Sequence, residues 1–179
     1  MKYTVKDITL IGVVAALTVV VGYVFYIAGS FFPIPGLKFV VFAPFLGFMM
    51  FIPVRKVQKI GVVSAVNLVF GVLMAPVSIV MSIAIVSAGL IAELISWIIF
   101  RDYRTLRKMI LSVGIYPVAA VLCASAAAYY FTGNVIYRLT GGWLFIVVLS
   151  AVIYALGVAG AYASNKVVYQ RIEKSENKY

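Results

Sequence analysis

The stretch VSIVMSIAIVSAGLIAELISWIIFRDYRTLRK, residues 77–108, decides the fold class. Its first 24 residues contain one charged side chain, Glu93, and the next eight contain four basic residues and one acid. An apolar run of about 20 residues can cross a bilayer as a helix, and a basic cluster at its end is typical of a cytoplasmic boundary. The stretch therefore predicts a transmembrane helix over about 77–100 that ends at the cytoplasm.

Five further apolar stretches lie on either side of this one. They cover about 8–28, 37–52, 60–74, 109–131 and 143–164, and the second and third are shorter than a usual span. The whole chain is 65% hydrophobic and 11% charged, whereas a soluble domain is about 25% charged. These features predict an all-α membrane protein in which residues 1–179 form a single domain of six transmembrane helices.

The basic residues predict how the chain is oriented. If the N-terminus lies in the cytoplasm, thirteen of the 15 lysines and arginines fall on the cytoplasmic side. The cytoplasmic set comprises Lys2, Lys6, Arg55, Lys56, Lys59, Arg101, Arg104, Arg107, Lys108, Lys166, Arg171, Lys174 and Lys178. This asymmetry predicts a multi-pass protein of a prokaryotic cell membrane with both termini in the cytoplasm. It also accounts for the net charge of +10 without a nucleic-acid partner.

Lys38 and Arg138 are the two basic residues predicted to lie outside. One interpretation is that their side chains extend to lipid phosphates at a helix end. The other is that they line a site in the outer half, because a small-molecule pocket is mostly apolar with a few convergent polar groups. The candidate ligand-binding residues toward the outer half are Lys38, Asn67, Tyr129, Tyr130, Asn134 and Arg138. Glu93, which is predicted a little to the cytoplasmic side of the midplane, is the seventh candidate.

Glu93 is the only acid inside a predicted span. A charge in a bilayer is costly, so such a residue usually has a function. No basic residue is predicted at the same depth, and we expect Glu93 to carry a proton or to bond hydroxyls such as those of Ser64 or Ser96. The sequence leaves two roles open for Glu93 and for Asn67: contact with a substrate or coupling partner, or a hydrogen bond that orients a helix.

Small residues recur at four-residue spacing in several predicted helices. They are Gly12 and Ala16 in the first, Ala84, Ala88, Ala92 and Ser96 in the fourth, and Gly157, Ala161, Gly160 and Ser164 in the sixth. This spacing lets helices approach closely in lipid, and we expect most of these residues to pack inside the protein. The first helix is also a candidate docking face for another membrane subunit.

Several classes of function have no support in the sequence. The chain has no histidine and one cysteine, Cys123, so we expect no metal site and no cofactor. It lacks the GxxxxGK[ST] loop, so ATP hydrolysis would have to come from a partner. An enzyme acting on lipid could use Glu93, but acid–base catalysis usually needs a second positioned group, and none is apparent. We therefore predict that the chain is not an enzyme.

Three segments resemble the S components of energy-coupling factor (ECF) transporters. KYTVKDITLIGVVAALTVV, residues 2–20, is similar to their opening, with a basic lead, a capping stretch and small residues along the first helix. Residues 31–73, which begin FFPIPGLKF, are similar to their second and third helices, with a lysine entering the second. IVSAGLIAELISWIIF, residues 85–100, is similar to their fourth helix. Within the family the chain is most similar to members of the thiamine-precursor type.

The resemblance implies a function. S components are six-helix proteins that bind a vitamin or related micronutrient near the outer face and dock on a transmembrane coupling protein with two ABC ATPase subunits. It places the docking face on Gly12, Ala15, Ala16 and Val19. The chain departs from the family in having Gly12 in place of an alanine and no acid soon after Lys38, so the motif does not identify the ligand.

Two other functions stay open. A membrane scaffold of the rod-shape-determining type is also small and six-helical, and it would need partner-binding surfaces but no ligand pocket. An autonomous transporter would require the chain to dimerise, and no inverted repeat of the secondary-transporter kind is apparent. Copurification of a small molecule, or of ATPase subunits, distinguishes these functions.

Overall fold

The computed structural model describes residues 3–30, 37–132 and 143–169 of the 179. Within these ranges the chain forms six α-helices and no strand. The helices are α1 Val5–Ser30, α2 Leu37–Val57, α3 Val62–Met74, α4 Ile79–Phe100, α5 Leu106–Thr132 and α6 Trp143–Ser164. A π-helical turn, Asn165–Tyr169, follows α6 directly.

Each predicted stretch corresponds to one helix, but some bounds differ. α2 continues through Pro53 to Val57 instead of ending near residue 52, and Arg55 and Lys56 form its last turn. Cations stabilise the C-terminus of a helix. This stabilisation offsets part of the free energy that the helix loses with the backbone hydrogen bond that a proline removes. Among the described residues, five helices are long and apolar enough to cross a membrane. α3 is the exception, because its 13 residues extend about 20 Å, against about 30 Å for a hydrocarbon core.

α1 begins with a capping box that also fixes it to the neighbouring helices. The Asp7 N–H donates to Thr4 Oγ1 at 3.3 Å, and the Thr4 N–H donates to Asp7 Oδ2 at 3.0 Å. The reciprocal pair satisfies N–H groups that have no partner within the helix, which confirms the predicted capping stretch. Asp7 also pairs with Lys59 Nζ at 3.0 Å, and the Tyr3 hydroxyl donates to the Ile60 carbonyl at 3.3 Å.

One end of the bundle brings together the start of α1, both ends of the α2–α3 connection, the α4–α5 connection and the turn after α6. Glu93, near the end of α4, contacts Val63 at the start of α3, and the Tyr169 hydroxyl donates to the Ile52 carbonyl at 3.0 Å. Nine of the ten lysines and arginines in the described ranges lie in these segments. We call this the basic end, and it comprises residues 3–7, 52–64, 93–108 and 165–169.

The buried core draws on all six helices. Its members include Ile11, Leu46, Val62, Ala88, Met109 and Ala161, one from each helix in order. The small residues that the sequence places at four-residue spacing on α4 and α6 are buried: Ala84, Ala88, Ala92, Ser96, Gly157, Gly160, Ala161 and Ser164. This confirms the prediction that most of the small-residue stripes pack inside the protein.

α2 and α6 are in backbone contact. A Cβ added at Gly47 would meet the carbonyl oxygen of Gly157, and a Cβ added at Gly160 would meet the carbonyl oxygen of Pro44. Helices in lipid associate through close packing of this kind. The α2–α6 contact therefore depends on glycine at these positions.

Candidate functional site

Three hydrogen bonds converge on the side chain of Glu93, which is 6% exposed. Oε2 accepts the backbone N–H groups of Val63 at 2.8 Å and Ser64 at 3.1 Å. Oε1 accepts the Tyr103 hydroxyl at 2.7 Å. The side chain thus joins α4, the start of α3 and the α4–α5 connection at the basic end.

The start of α3 explains why an acid is needed there. Its N-cap residue, Gly61, lies in the left-handed region at φ 96°, and no side chain of its own caps the helix. The first N–H groups of a helix lack partners within it, and that end carries partial positive charge. Glu93 supplies the missing acceptor from the neighbouring helix, 30 residues along the chain from Val63.

The expectation that a hydroxyl bonds Glu93 is confirmed by Tyr103, but the two serine hydroxyls named from the sequence are wrong. The Ser64 hydroxyl donates to the Gly89 carbonyl at 3.3 Å, and the Ser96 hydroxyl donates to the Ser112 carbonyl at 3.5 Å. Both hydroxyls bond main-chain oxygens, and the main-chain N–H of Ser64 contacts Glu93 instead. Of the two roles left open by the sequence, the contacts describe a hydrogen bond between helices.

Tyr103 is the residue at this site that the sequence did not indicate. It lies in the short connection after α4, between Asp102 and Arg104, yet it is only 3% exposed. Burial, and then the charge of Glu93, raise the pKa of Tyr103 above its ordinary value of 10.0, so the hydroxyl stays a hydrogen-bond donor at physiological pH. The glycine at the start of α3 predicts an acceptor such as Glu93, but no signal in the sequence points to the Tyr103 donor.

Asn67 lies one turn further along α3 and is fully buried. Its Nδ2 donates to the Val63 carbonyl at 2.8 Å, and its Oδ1 has no partner among the described residues. A Cβ added at Gly89 would meet the Asn67 side chain, so α3 and α4 pack closely there. The structure therefore brings two predicted residues, Asn67 and Glu93, to the same α3–α4 interface. Asn67 lies one turn from the basic end, and not toward the outer half as the sequence predicted.

Most of the predicted outer site lies outside the described residues. Asn134 and Arg138 belong to the range 133–142, and the side chains of Lys38 and Tyr129 are likewise not described. Tyr130 is described, near the end of α5 opposite the basic end, and its side chain is 80% exposed. The convergence of Lys38 with Arg138 stays a prediction.

The four predicted docking residues of α1 differ in exposure. Ala15 is fully buried in the core, and Val19 packs partly against it. Ala16 is exposed. Gly12 is partly exposed, and a Cβ added there would have no neighbouring atom within 4 Å. Of the four predicted docking residues, Gly12 and Ala16 are therefore the two that a helix outside the chain could approach.

The chemistry of the described site is that of polar contacts between helices. No group of three histidine, cysteine, aspartate or glutamate residues that could hold a metal ion occurs within residues 3–30, 37–132 and 143–169. Cys123, which is partly buried in α5, is a free thiol, and burial of this kind is typical of an inert cysteine.

Residues 5–140 match the model of a family described as hypothetical bacterial integral membrane protein, Trep_Strep. The chain therefore belongs to this family of bacterial integral membrane proteins. The matched range contains α1 to α5, and with them Glu93, Tyr103 and the start of α3. No curated protein and no solved structure matches the chain.

Proposed function

We propose that this bacterial integral membrane protein is the substrate-binding S component of an ECF-type importer in the cytoplasmic membrane. It captures a vitamin or related micronutrient at the outer face, and the resemblance makes a thiamine-related compound the first candidate. It then docks on a transmembrane coupling protein that carries two ABC ATPase subunits. ATP hydrolysis belongs to those partners, and the chain itself is a binding protein.

The proposal requires six crossings with both termini in the cytoplasm. It is supported by the way both ends of the described chain contact one segment, since Tyr3 bonds Ile60 and Tyr169 bonds Ile52. Ends on the same side of a membrane require an even number of crossings, and the five long helices alone would give an odd number. α3 then counts as a crossing despite its length. The excess of lysine and arginine at the basic end favours the cytoplasm for that side.

The observation that carries the docking half of the proposal is the open position at Gly12. A Cβ added there would have nothing within 4 Å, and Ala16, one turn further, is exposed. Small residues on an outward face let a second helix approach the backbone of α1, as in other helix pairs within lipid. Because Ala15 is buried, the proposed docking face consists of Gly12 and Ala16.

The experiment separates ligand capture from docking. We expect Gly12→Leu and Ala16→Leu to abolish copurification with the ATPase subunits while retaining the bound small molecule, because added bulk prevents close approach. Lys38→Ala and Arg138→Ala should lose the small molecule and retain docking. Native mass spectrometry with small-molecule extraction measures the first property, and affinity copurification measures the second.

Ala155→Leu provides the matched control. Ala155 is also exposed, but on α6, so the same added bulk should leave both properties unchanged. Equal losses from all substitutions would contradict the separation of ligand face and docking face. A folded protein that carries no small molecule and recovers no ATPase subunit would instead favour the scaffold.

A further inference from the structure

The connection between α4 and α5 and the first turn of α5 carry more positive charge than the single acid there can balance, with Arg101, Arg104, Arg107 and Lys108 against Asp102. The three arginines are exposed. The one acid in the connection, Asp102, is paired with Lys108 at 3.0 Å. The other acids in the described ranges are also engaged, because Asp7 pairs with Lys59 and Glu93 binds the start of α3. Within the described ranges none of the three arginines forms a salt bridge.

Arg101 lies at the C-terminus of α4, where a cation is favourable, but the positions of Arg104 and Arg107 are not explained by stabilisation of a helix. α5 begins at Leu106, so Arg107 lies in its first turn and Arg104 lies just before it. The N-terminus of a helix carries partial positive charge, and cations there are unfavourable. An anion bound beside the arginines would offset both the mutual repulsion and the unfavourable interaction with the helix.

An exposed apolar strip on α4 leads directly to this cluster. Leu90, Leu94 and Ile98 follow one another at four-residue spacing, and all three are exposed. Trp97, one turn before Arg101, is exposed beside them. Tryptophan and arginine next to each other at a helix end are typical of the boundary between hydrocarbon and headgroups. The surface thus combines an apolar strip with a cationic end.

We propose that this surface is a binding site for one anionic phospholipid. The phosphate group lies among Arg101, Arg104 and Arg107, and an acyl chain lies along Leu90, Leu94 and Ile98. Charge complementarity selects the headgroup, and the length of the strip selects a membrane lipid over a soluble phosphate. The proposal stands whether or not the chain is a transport subunit.

The alternative is that these arginines merely belong to the diffuse positive charge of a cytoplasmic surface. A charge-matched pair of variants distinguishes the two. One variant is Arg101→Gln with Arg104→Gln and Arg107→Gln. The other, Lys6→Gln with Lys56→Gln and Lys166→Gln, removes the same charge from exposed residues at the same end. Both are studied as purified protein in neutral detergent, where orientation in a membrane has no effect.

Native mass spectrometry measures how much phosphatidylglycerol and how much phosphatidylcholine, with identical acyl chains, each protein binds. The intact protein should prefer phosphatidylglycerol, and the arginine variant should lose that preference. A basic residue near an anionic surface contributes about fivefold to binding, so three should contribute on the order of a hundredfold. The lysine variant should keep most of the preference.

Equal losses in the two variants, or no loss in either, would overturn the proposal. Excess glycerol phosphate should compete poorly, because it lacks the acyl chain. Full competition would overturn the assignment to a lipid and leave a headgroup site only. Size-exclusion elution as a single symmetrical peak confirms that each variant is folded before binding is compared.

Discussion

The α2–α6 contact and the outer face of α1 use small residues in opposite ways. Gly47 and Gly160 on α2 and α6 lie so close to the facing backbone that an added methyl group would meet a carbonyl oxygen. Gly12 on α1 has no neighbour within 4 Å of the same added group. Both regions show small residues at helical spacing in the sequence. The spacing therefore indicates where helices can approach closely, and burial decides whether that approach already occurs within the chain.

The first prediction tests this comparison directly. Gly160→Leu should prevent recovery of folded protein, because overpacking a core already costs about 1–3 kcal/mol and here the obstacle is backbone rather than a side chain that can move. Gly12→Leu should leave folding unchanged. Fluorescence-detected size-exclusion chromatography after heating in detergent measures both. If the two variants were recovered equally, the distinction between the α2–α6 contact and the outer face of α1 would be wrong.

The second prediction extends the comparison to polar groups. Glu93→Ala removes the acceptor of three hydrogen bonds, two of them buried and one partly buried, and each buried donor left without a partner costs about 1–3 kcal/mol. We expect a loss of several kcal/mol in the free energy of unfolding, and a smaller loss for Glu93→Gln, which retains one acceptor oxygen. Titration with a denaturing detergent measures the change.

Asp102→Ala is the control for this prediction. Asp102 is an acid nine residues further along, and its partner Lys108 is at the surface, so the loss should be minor. A cost for Glu93→Ala no larger than that for Asp102→Ala would mean that the Glu93 contacts contribute little to stability.

The third prediction concerns the hydroxyl of Tyr103. Tyr103→Phe removes the hydrogen bond that Glu93 Oε1 accepts, and the loss of a partner for a buried polar group should cost about 1–3 kcal/mol. Tyr162→Phe, at an exposed position of α6, should cost almost nothing. Unfolding in the same detergent titration compares the two.

The pH dependence of Tyr103→Phe provides a second measurement. The pKa of Tyr103 is raised in the folded protein. The contribution of its hydroxyl to the free energy of unfolding is therefore fully present below the ordinary pKa of 10.0 and is lost as the pH rises above that value. The difference in stability between the natural chain and Tyr103→Phe should therefore narrow in alkaline solution. A difference that stays constant would indicate that the pKa of Tyr103 is not raised in the folded protein.

Much of the fold could be predicted from the sequence. The length of an apolar run and the position of a basic cluster can be read along the chain without knowing which helices pack together. The helices and the burial of the small residues on α4 and α6 follow from these patterns. The partners of Glu93 could not be predicted in the same way. The sequence indicates that an acid within a span needs a partner, but only the arrangement of helices brings Val63, Ser64 and Tyr103 to it. Likewise, the spacing of small residues on α1 could not show that Ala15 faces inward and Ala16 outward.

The dependence of α3 on Glu93 has a consequence for how the chain enters the membrane during synthesis. α3 has 13 residues and begins at a glycine without a side-chain cap. The acceptor for its first N–H groups lies on α4, which leaves the ribosome later. Until then, α3 is both short for a bilayer and uncapped at one end. α3 and α4 are thus expected to insert together as a helical hairpin, with α3 held near the translocation channel until α4 has been made.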